Sequence, residues 1–190
     1  TRGLTDRVVA GVQQALRLTD EGDVLVFLPG KGEIRDAAQA LSRGREPVLP
    51  LHAGLPRREQ DRVFEPCADR RIILSTNVAE SSVTIPGVRA VVDSGLERRT
   101  AYRRARSVLA LSPISQQSAT QRAGRAGRTA PGVAVQLWSA RGILRPDTPP
   151  EILREDLDPL VLMTGAVERR PAEIGFLDPP APDALEAATS

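Results

Sequence analysis

The segment Gln121-Arg122-Ala123-Gly124-Arg125-Ala126-Gly127-Arg128 carries the sharpest chemical signal in this sequence. Its three arginines recur every third residue, and glycines stand beside two of them. On a helix, positions i, i+3 and i+6 share a face, so the spacing predicts three guanidinium groups pointing the same way. A forked guanidinium matches phosphate oxygens two at a time. An arginine set against a γ-phosphate accelerates its transfer by ~10³ to 10⁵. The glycines would let a second surface come close. The competing reading is a solvated helical face paired with neighbouring carboxylates.

A second segment, Thr76-Asn77-Val78-Ala79-Glu80-Ser81-Ser82-Val83-Thr84-Ile85, directly follows a predicted strand over residues 71–75. Hydroxyls, an amide and a helix N-terminus after a parallel strand make a ready set of phosphate-binding donors. The complementary machinery is not in the sequence. There is no Gly-x-x-x-x-Gly-Lys-Ser/Thr, and Gly30-Lys31-Gly32 lacks the spaced glycines and the hydroxyl that holds magnesium. There is no Asp-Glu-x-His either. A phosphate cradle, metal carboxylates and a catalytic base are therefore expected on a preceding domain or, less readily, on another chain.

Composition narrows the field further. A hydrophobic content of 41% with 26% charged residues describes an ordinary soluble globular protein, long enough at 190 residues for one domain and part of a second. No run of 18 apolar residues and no leader-like opening occur, so neither a membrane span nor export is expected. The single Cys67 and single His52 exclude an internal disulfide, a cysteine-rich metal site and a zinc hydrolase, and they fit a cytoplasmic location. Cys67 is expected to be a semi-buried small residue, and Trp138 and Met163 to lie in a core or interface. The net charge is only +2, yet residues 98–128 hold eight arginines and no acid. Such a stretch attracts polyanions. Only one of the 26 basic residues, Lys31, is a lysine, which codon usage explains as readily as function.

These segments need a scaffold, and the hydrophobic pattern supplies one. Apolar spacing predicts a helix over residues 4–18. Continuous apolar runs predict buried strands over 24–28, 48–51, 71–75, 88–92 and 133–138, with 107–111 able to pair as a further strand after a turn or hairpin at 101–106. Helices are predicted over 33–41, 57–64, 116–126 and 151–164. Strands alternating with helices at this spacing indicate an α/β fold, a mostly parallel sheet with helices on both faces. Residues 1–140 form that domain; 141–190 read as a linker and the start of a helical, winged-helix-type domain left incomplete. Ligands of such sheets sit beyond the carboxyl ends of the strands, at residues 29–32, 52–54, 76–84 and 93–95.

The ordered set of segments resembles a known family. Thr76 to Ser82 is similar to motif V, and Gln121 to Arg128 to motif VI, of the DEAH/RHA helicases of superfamily 2. Residues 23–30 resemble its motif IV, and residues 51–55 and 59–64 the segment that follows. Pro150-Glu151-Ile152-Leu153-Arg154-Glu155-Asp156-Leu157 and Phe176-Leu177-Asp178-Pro179-Pro180 look most like bacterial HrpB-type enzymes. Motif VI alone is widely shared; the set in this order, over nearly the whole chain, is specific.

The resemblance implies a RecA-like second motor domain of an ATP-dependent helicase acting on single-stranded nucleic acid, RNA first. ATP and Mg²⁺ would lie between it and a preceding RecA-like domain that carries the metal ligands. It implies that Gln121 helps place the attacking water and that Arg125 and Arg128 meet the γ-phosphate, one as an arginine finger. Phe64 would stack on adenine, Thr84 would lie near the nucleoside, and Ser82 would couple nucleotide state to nucleic-acid grip. Thr76 and Asn77 would touch the nucleic-acid backbone. Arg98, Arg99, Arg103, Arg104 and Arg106 occupy the place of the family's β-hairpin, which separates or buttresses strands. One departure stands out: where the family often has an acidic residue bonding the nucleotide sugar, this chain has Pro86, which cannot make that bond. Without its first half the domain would hydrolyse nothing. The alternative is a non-catalytic RNA- or DNA-binding module descended from such a domain.

Overall fold

A computed structural model describes residues 3–81, 84–103, 106–128, 130–139, 142 and 144–189. The apolar runs become five parallel strands, β1 (Asp23–Phe27), β2 (Val48–Leu51), β3 (Ile72–Ser75), β4 (Val88–Asp93) and β7 (Val133–Gln136), in the order β2-β3-β1-β4-β7. Every residue of β1 and β3 is buried, which is why neither run alternates with polar residues. This is the mostly parallel, RecA-like α/β architecture expected from the sequence.

Strand parity divides the core. Val24 and Val26 face helices α1 (Leu4–Leu18) and α2 (Lys31–Leu41), whose Val8, Val12, Ile34 and Ala37 close that side. Leu25 and Phe27 face the other way, with Val63, Ala79, Ile85 and Ala126. Each fully buried Val, Leu, Ile or Phe among them contributes about 1.5–3 kcal/mol relative to exposure. That second face carries α4 (Val78–Ser81) and α5 (Gln116–Ala123), and Val63 and Phe64 reach it just after α3 (Arg57–Asp61).

Three predicted helices come out shorter, each for a visible reason. The one expected over 57–64 stops at Asp61, because the buried Arg71 guanidinium takes the carbonyls of Arg62 (3.2 Å) and Glu65 (3.0 Å) while pairing with Asp23 at 2.6 Å. The one expected over 116–126 ends at Ala123, because the pattern tightens beyond Gly124: the Arg125 and Ala126 N–H groups donate three residues back, to Arg122 O and Ala123 O, each at 3.1 Å. The span 151–164 splits into a 3₁₀ turn, Glu151–Leu153, and α6 (Asp158–Ala166), with Pro159 in the first turn of α6, where its missing N–H costs nothing. A last helix, α7 (Pro182–Thr189), lies in the tail.

The possible strand over 107–111 does not join the parallel sheet. It lies in β6 (Arg106–Pro113), which pairs with β5 (Leu96–Arg103) as a separate two-stranded ribbon. The chain clusters into two compact units: Thr1–Glu97 with Leu111–Asp147, and Arg98–Ala110 with Thr148–Ser190. Among the described residues no helix is long and apolar enough to cross a membrane. Cys67 is exposed, contrary to the semi-buried position expected, and Met163 is 72% exposed on α6.

Candidate nucleotide and nucleic-acid site

Strand β3 delivers the first segment. The Thr76 N–H donates to Leu51 O at 3.3 Å, extending the β2–β3 pairing by one step, and the chain then turns. Thr76 is half-buried and Asn77 exposed at the carboxyl edge of the sheet. The Asn77 carbonyl accepts from the Glu80 N–H at 2.9 Å, closing the single turn of α4.

The second segment comes from α5, whose N-cap Ser115 hydroxyl accepts from the Ser118 N–H at 3.1 Å. The buried positions on this helix are Ser115, Ser118, Ala119 and Arg122, an i, i+3, i+4, i+7 stripe. Arg122 is therefore not a surface cation. It is 1% exposed, its Nε is 2.8 Å from Glu80 Oε2, and its Nη1 is 3.1 Å from Asp93 Oδ1 and 3.3 Å from Leu96 O. The predicted single arginine face is thus corrected: Arg122 points inward, while the helix ends and Arg125 and Arg128 leave on tight turns.

Those two arginines turn toward the first segment. Arg125 donates to the Glu80 carbonyl and Arg128 to the Thr84 hydroxyl. With Ala79, Ile85 and Val88 they line one small crevice. Arg125 is half-buried and Arg128 exposed. Burial, and after it the charge of Arg128, push the Arg125 guanidinium below its ordinary range, against the pull of Glu80. Gly127, between them, has open space where a side chain would be among the described residues.

Asp93, at the end of β4, anchors the floor. Its Oδ1 accepts from the Gly95 N–H at 2.9 Å as well as from Arg122, while its buried Oδ2 has no hydrogen-bond partner. Burial, opposed by Arg122, raises its pKa above 3.8. Gly95 is required beside it: its φ is +72°, and a Cβ there would lie 2.5 Å from the Trp138 ring. Gly132 is required on packing grounds, since a Cβ would come within 2.2 Å of the Ala126 carbonyl oxygen.

The remaining predicted residues are more scattered. Gln121 is exposed on the last turn of α5, outside the buried stripe. Phe64 is half-buried against the Leu25–Phe27 face of the core. Arg98 is exposed, and Arg99 donates to the Thr148 hydroxyl at 3.2 Å. Arg103 and Arg106 lie in β5 and β6; Ser82 and Arg104 fall outside the described residues. Thr76 and Asn77 belong to the first unit, and the arginines of the ribbon to the second. The pairing of Glu80 and Asp93 with an inward Arg122 was not read from sequence; the stripe beginning at Ser115 was the signal that could have turned Arg122 inward. Among the described residues no three His, Cys, Asp or Glu side chains gather as a metal site.

Residues 8–130 match the helicase conserved C-terminal domain. The chain belongs to this family. It is 46% identical over 153 residues to the ATP-dependent RNA helicase HrpA of Escherichia coli K12, covering 77% of this chain and 12% of that protein. It is 43% identical over 194 residues to the probable ATP-dependent RNA helicase DHX34 of Mus musculus, covering 96% of this chain and 17% of that one. The solved Escherichia coli DEAH/RHA helicase HrpB superposes with a TM-score of 0.91 at 34% identity, across 100% of this chain and 25% of its own. This helicase C-terminal domain thus has DEAH/RHA relatives, and spans a quarter or less of the length of each.

Proposed function

We propose that this domain is the second motor domain of an ATP-dependent RNA helicase, working in the cytoplasm against a preceding RecA-like domain. The observation that carries the reading is the convergence of Arg125, Arg128 and Thr84 on one crevice, while the third arginine of the row, Arg122, is held in the core. Two guanidinium groups presented at an open lip suit the terminal phosphate of a nucleotide, as positively charged donors aimed where charge develops. Arg125 and Arg128 take that role, one as the arginine finger; Gln121, exposed on the last turn of α5, orients the attacking water. Phe64 packs against the base and Thr84 lies near the nucleoside, with Ser82 linking nucleotide state to grip. Mg²⁺ would neutralise phosphate charge, and its ligands belong to the preceding domain. Thr76 and Asn77, at the carboxyl edge of the sheet, hold the RNA backbone. Arg98, Arg99, Arg103, Arg104 and Arg106 add contacts from the ribbon within residues 98–110, which clusters with the helical segment from residue 148.

The test compares this chain with the full-length protein. The full-length protein should hydrolyse ATP and accelerate when single-stranded RNA is added; the chain alone should not turn over. Turnover by the purified chain that survives Arg125→Ala would overturn the two-domain reading. RNA binding by a full-length protein without any ATP turnover would assign the domain to a non-catalytic binding module.

A further inference from the structure

Glu80 is bonded at every polar position it has. One carboxylate oxygen accepts from Arg122 Nε at 2.8 Å, and the other accepts the Ser118 hydroxyl. Its carbonyl accepts from Arg125, and its N–H donates to the Asn77 carbonyl at 2.9 Å. The side chain thus ties Glu80 to α5, and the main chain ties it to Arg125 and Asn77.

The partner that holds the side chain is itself immobile. Arg122 is fixed by Asp93 Oδ1, by the Leu96 carbonyl and by the Phe27 ring, and it is 1% exposed. By contrast α4 is four residues long, too short to be stable as a helix by itself. Its place against α5 depends on Ala79 in the core and on the Glu80 carboxylate.

We propose that Glu80 is the positioning residue for Arg125. The Glu80–Arg122 pair, with Arg122 buried and Glu80 partly so, sets where the Glu80 carbonyl stands, and that carbonyl orients the Arg125 guanidinium at the crevice. The inference rests on the motor-domain reading of Arg125. It makes Glu80 and Arg122 contributors to turnover without contact with nucleotide.

A double-mutant cycle in the full-length protein, assayed with ATP and saturating poly(U) RNA, tests it. Glu80→Ala should lower kcat by roughly 10- to 100-fold, as a displaced catalytic group does, with KM for ATP changed by less than about threefold. Glu80→Gln keeps an acceptor for Arg122 and should restore kcat to within about threefold of the parent. The double variant Glu80→Ala/Arg125→Ala should be no slower than Arg125→Ala alone, because both changes remove the same contribution. If Glu80→Ala melts below the assay temperature, Glu80→Asp, which keeps the charge but shortens the reach, carries the same cycle. Multiplying losses in the double variant, or a raised KM with unchanged kcat, would overturn the proposal and leave the motor reading standing. Undiminished turnover by Arg125→Ala would overturn the motor reading, and this inference with it.

Discussion

The guanidinium of Arg122 lies over the ring of Phe27, 5.0 Å from its centroid, on the one face of the sheet that also presents Asp93. Phe27 and Asp93 are register partners on neighbouring strands, so the same row of the sheet supplies a π-face and a carboxylate to one cation. Arg122→Met should therefore destabilise the chain by about 3–5 kcal/mol, because it leaves Glu80 and Asp93 facing each other without a counter-charge. Urea unfolding of the two chains measures it, and a loss below about 1 kcal/mol would mean the cluster tolerates two bare carboxylates.

Arg125→Ala and Arg128→Ala in the full-length protein should each cut RNA-stimulated turnover by ~10² or more while RNA affinity changes little. Hydrolysis rates and fluorescence anisotropy on the same preparations separate the two effects. Lost affinity with normal turnover would assign these arginines to the nucleic acid.

Asp93 gives a pH signature. Its folded pKa is raised, so the folded state keeps the proton to higher pH than the unfolded chain does. Stability from this group is then highest below the ordinary value of 3.8 and declines as pH rises toward the folded pKa. Asp93→Asn removes the group that titrates, and Glu80 still pairs Arg122. The difference in melting temperature between Asp93→Asn and the parent should shift in favour of the variant from about pH 4 upward. A difference that stays flat across that range would place the Asp93 titration in its unfolded-state position.

Replacing two of Arg98, Arg99, Arg103, Arg104 and Arg106 should flatten the salt dependence of single-stranded RNA binding by about 1.4 units of log K per log salt, at roughly 0.7 per phosphate. Basal turnover should stay near the parent value. An unchanged slope with a lowered melting temperature would make these arginines structural; the Arg99 bond to Thr148 shows that at least one of them also has a partner within its own unit.

Gly95→Ala should lower stability by about 1–3 kcal/mol, since alanine resists a φ of +72° and its methyl would meet Trp138. Chemical denaturation checks it directly.

The parallel sheet was legible because Val24 to Phe27 and Ile72 to Ser75 are buried on both sides and so write themselves as unbroken apolar runs. The site was half legible. Spacing of three drew Arg122, Arg125 and Arg128 together on paper, but the helix ends at Ala123 between them, with Arg122 paired inward and Arg125 and Arg128 on the turns that follow. Glu80 and Asp93 gave no pattern of their own, because their importance comes from strands and helices meeting in space. Likewise Pro159, inside the span read as one helix over 151–164, marks the start of α6.

Residues 98–110 group with residues 148–190 and not with the sheet domain that encloses them in sequence. The smaller unit is therefore encoded in two separated stretches. A single recombination event near residue 147 would hand a new C-terminal partner to a ribbon that had been selected alongside the old one. Exchange of this unit alone between relatives takes three junctions, near residues 98, 110 and 147, so ribbon and tail are expected to change together.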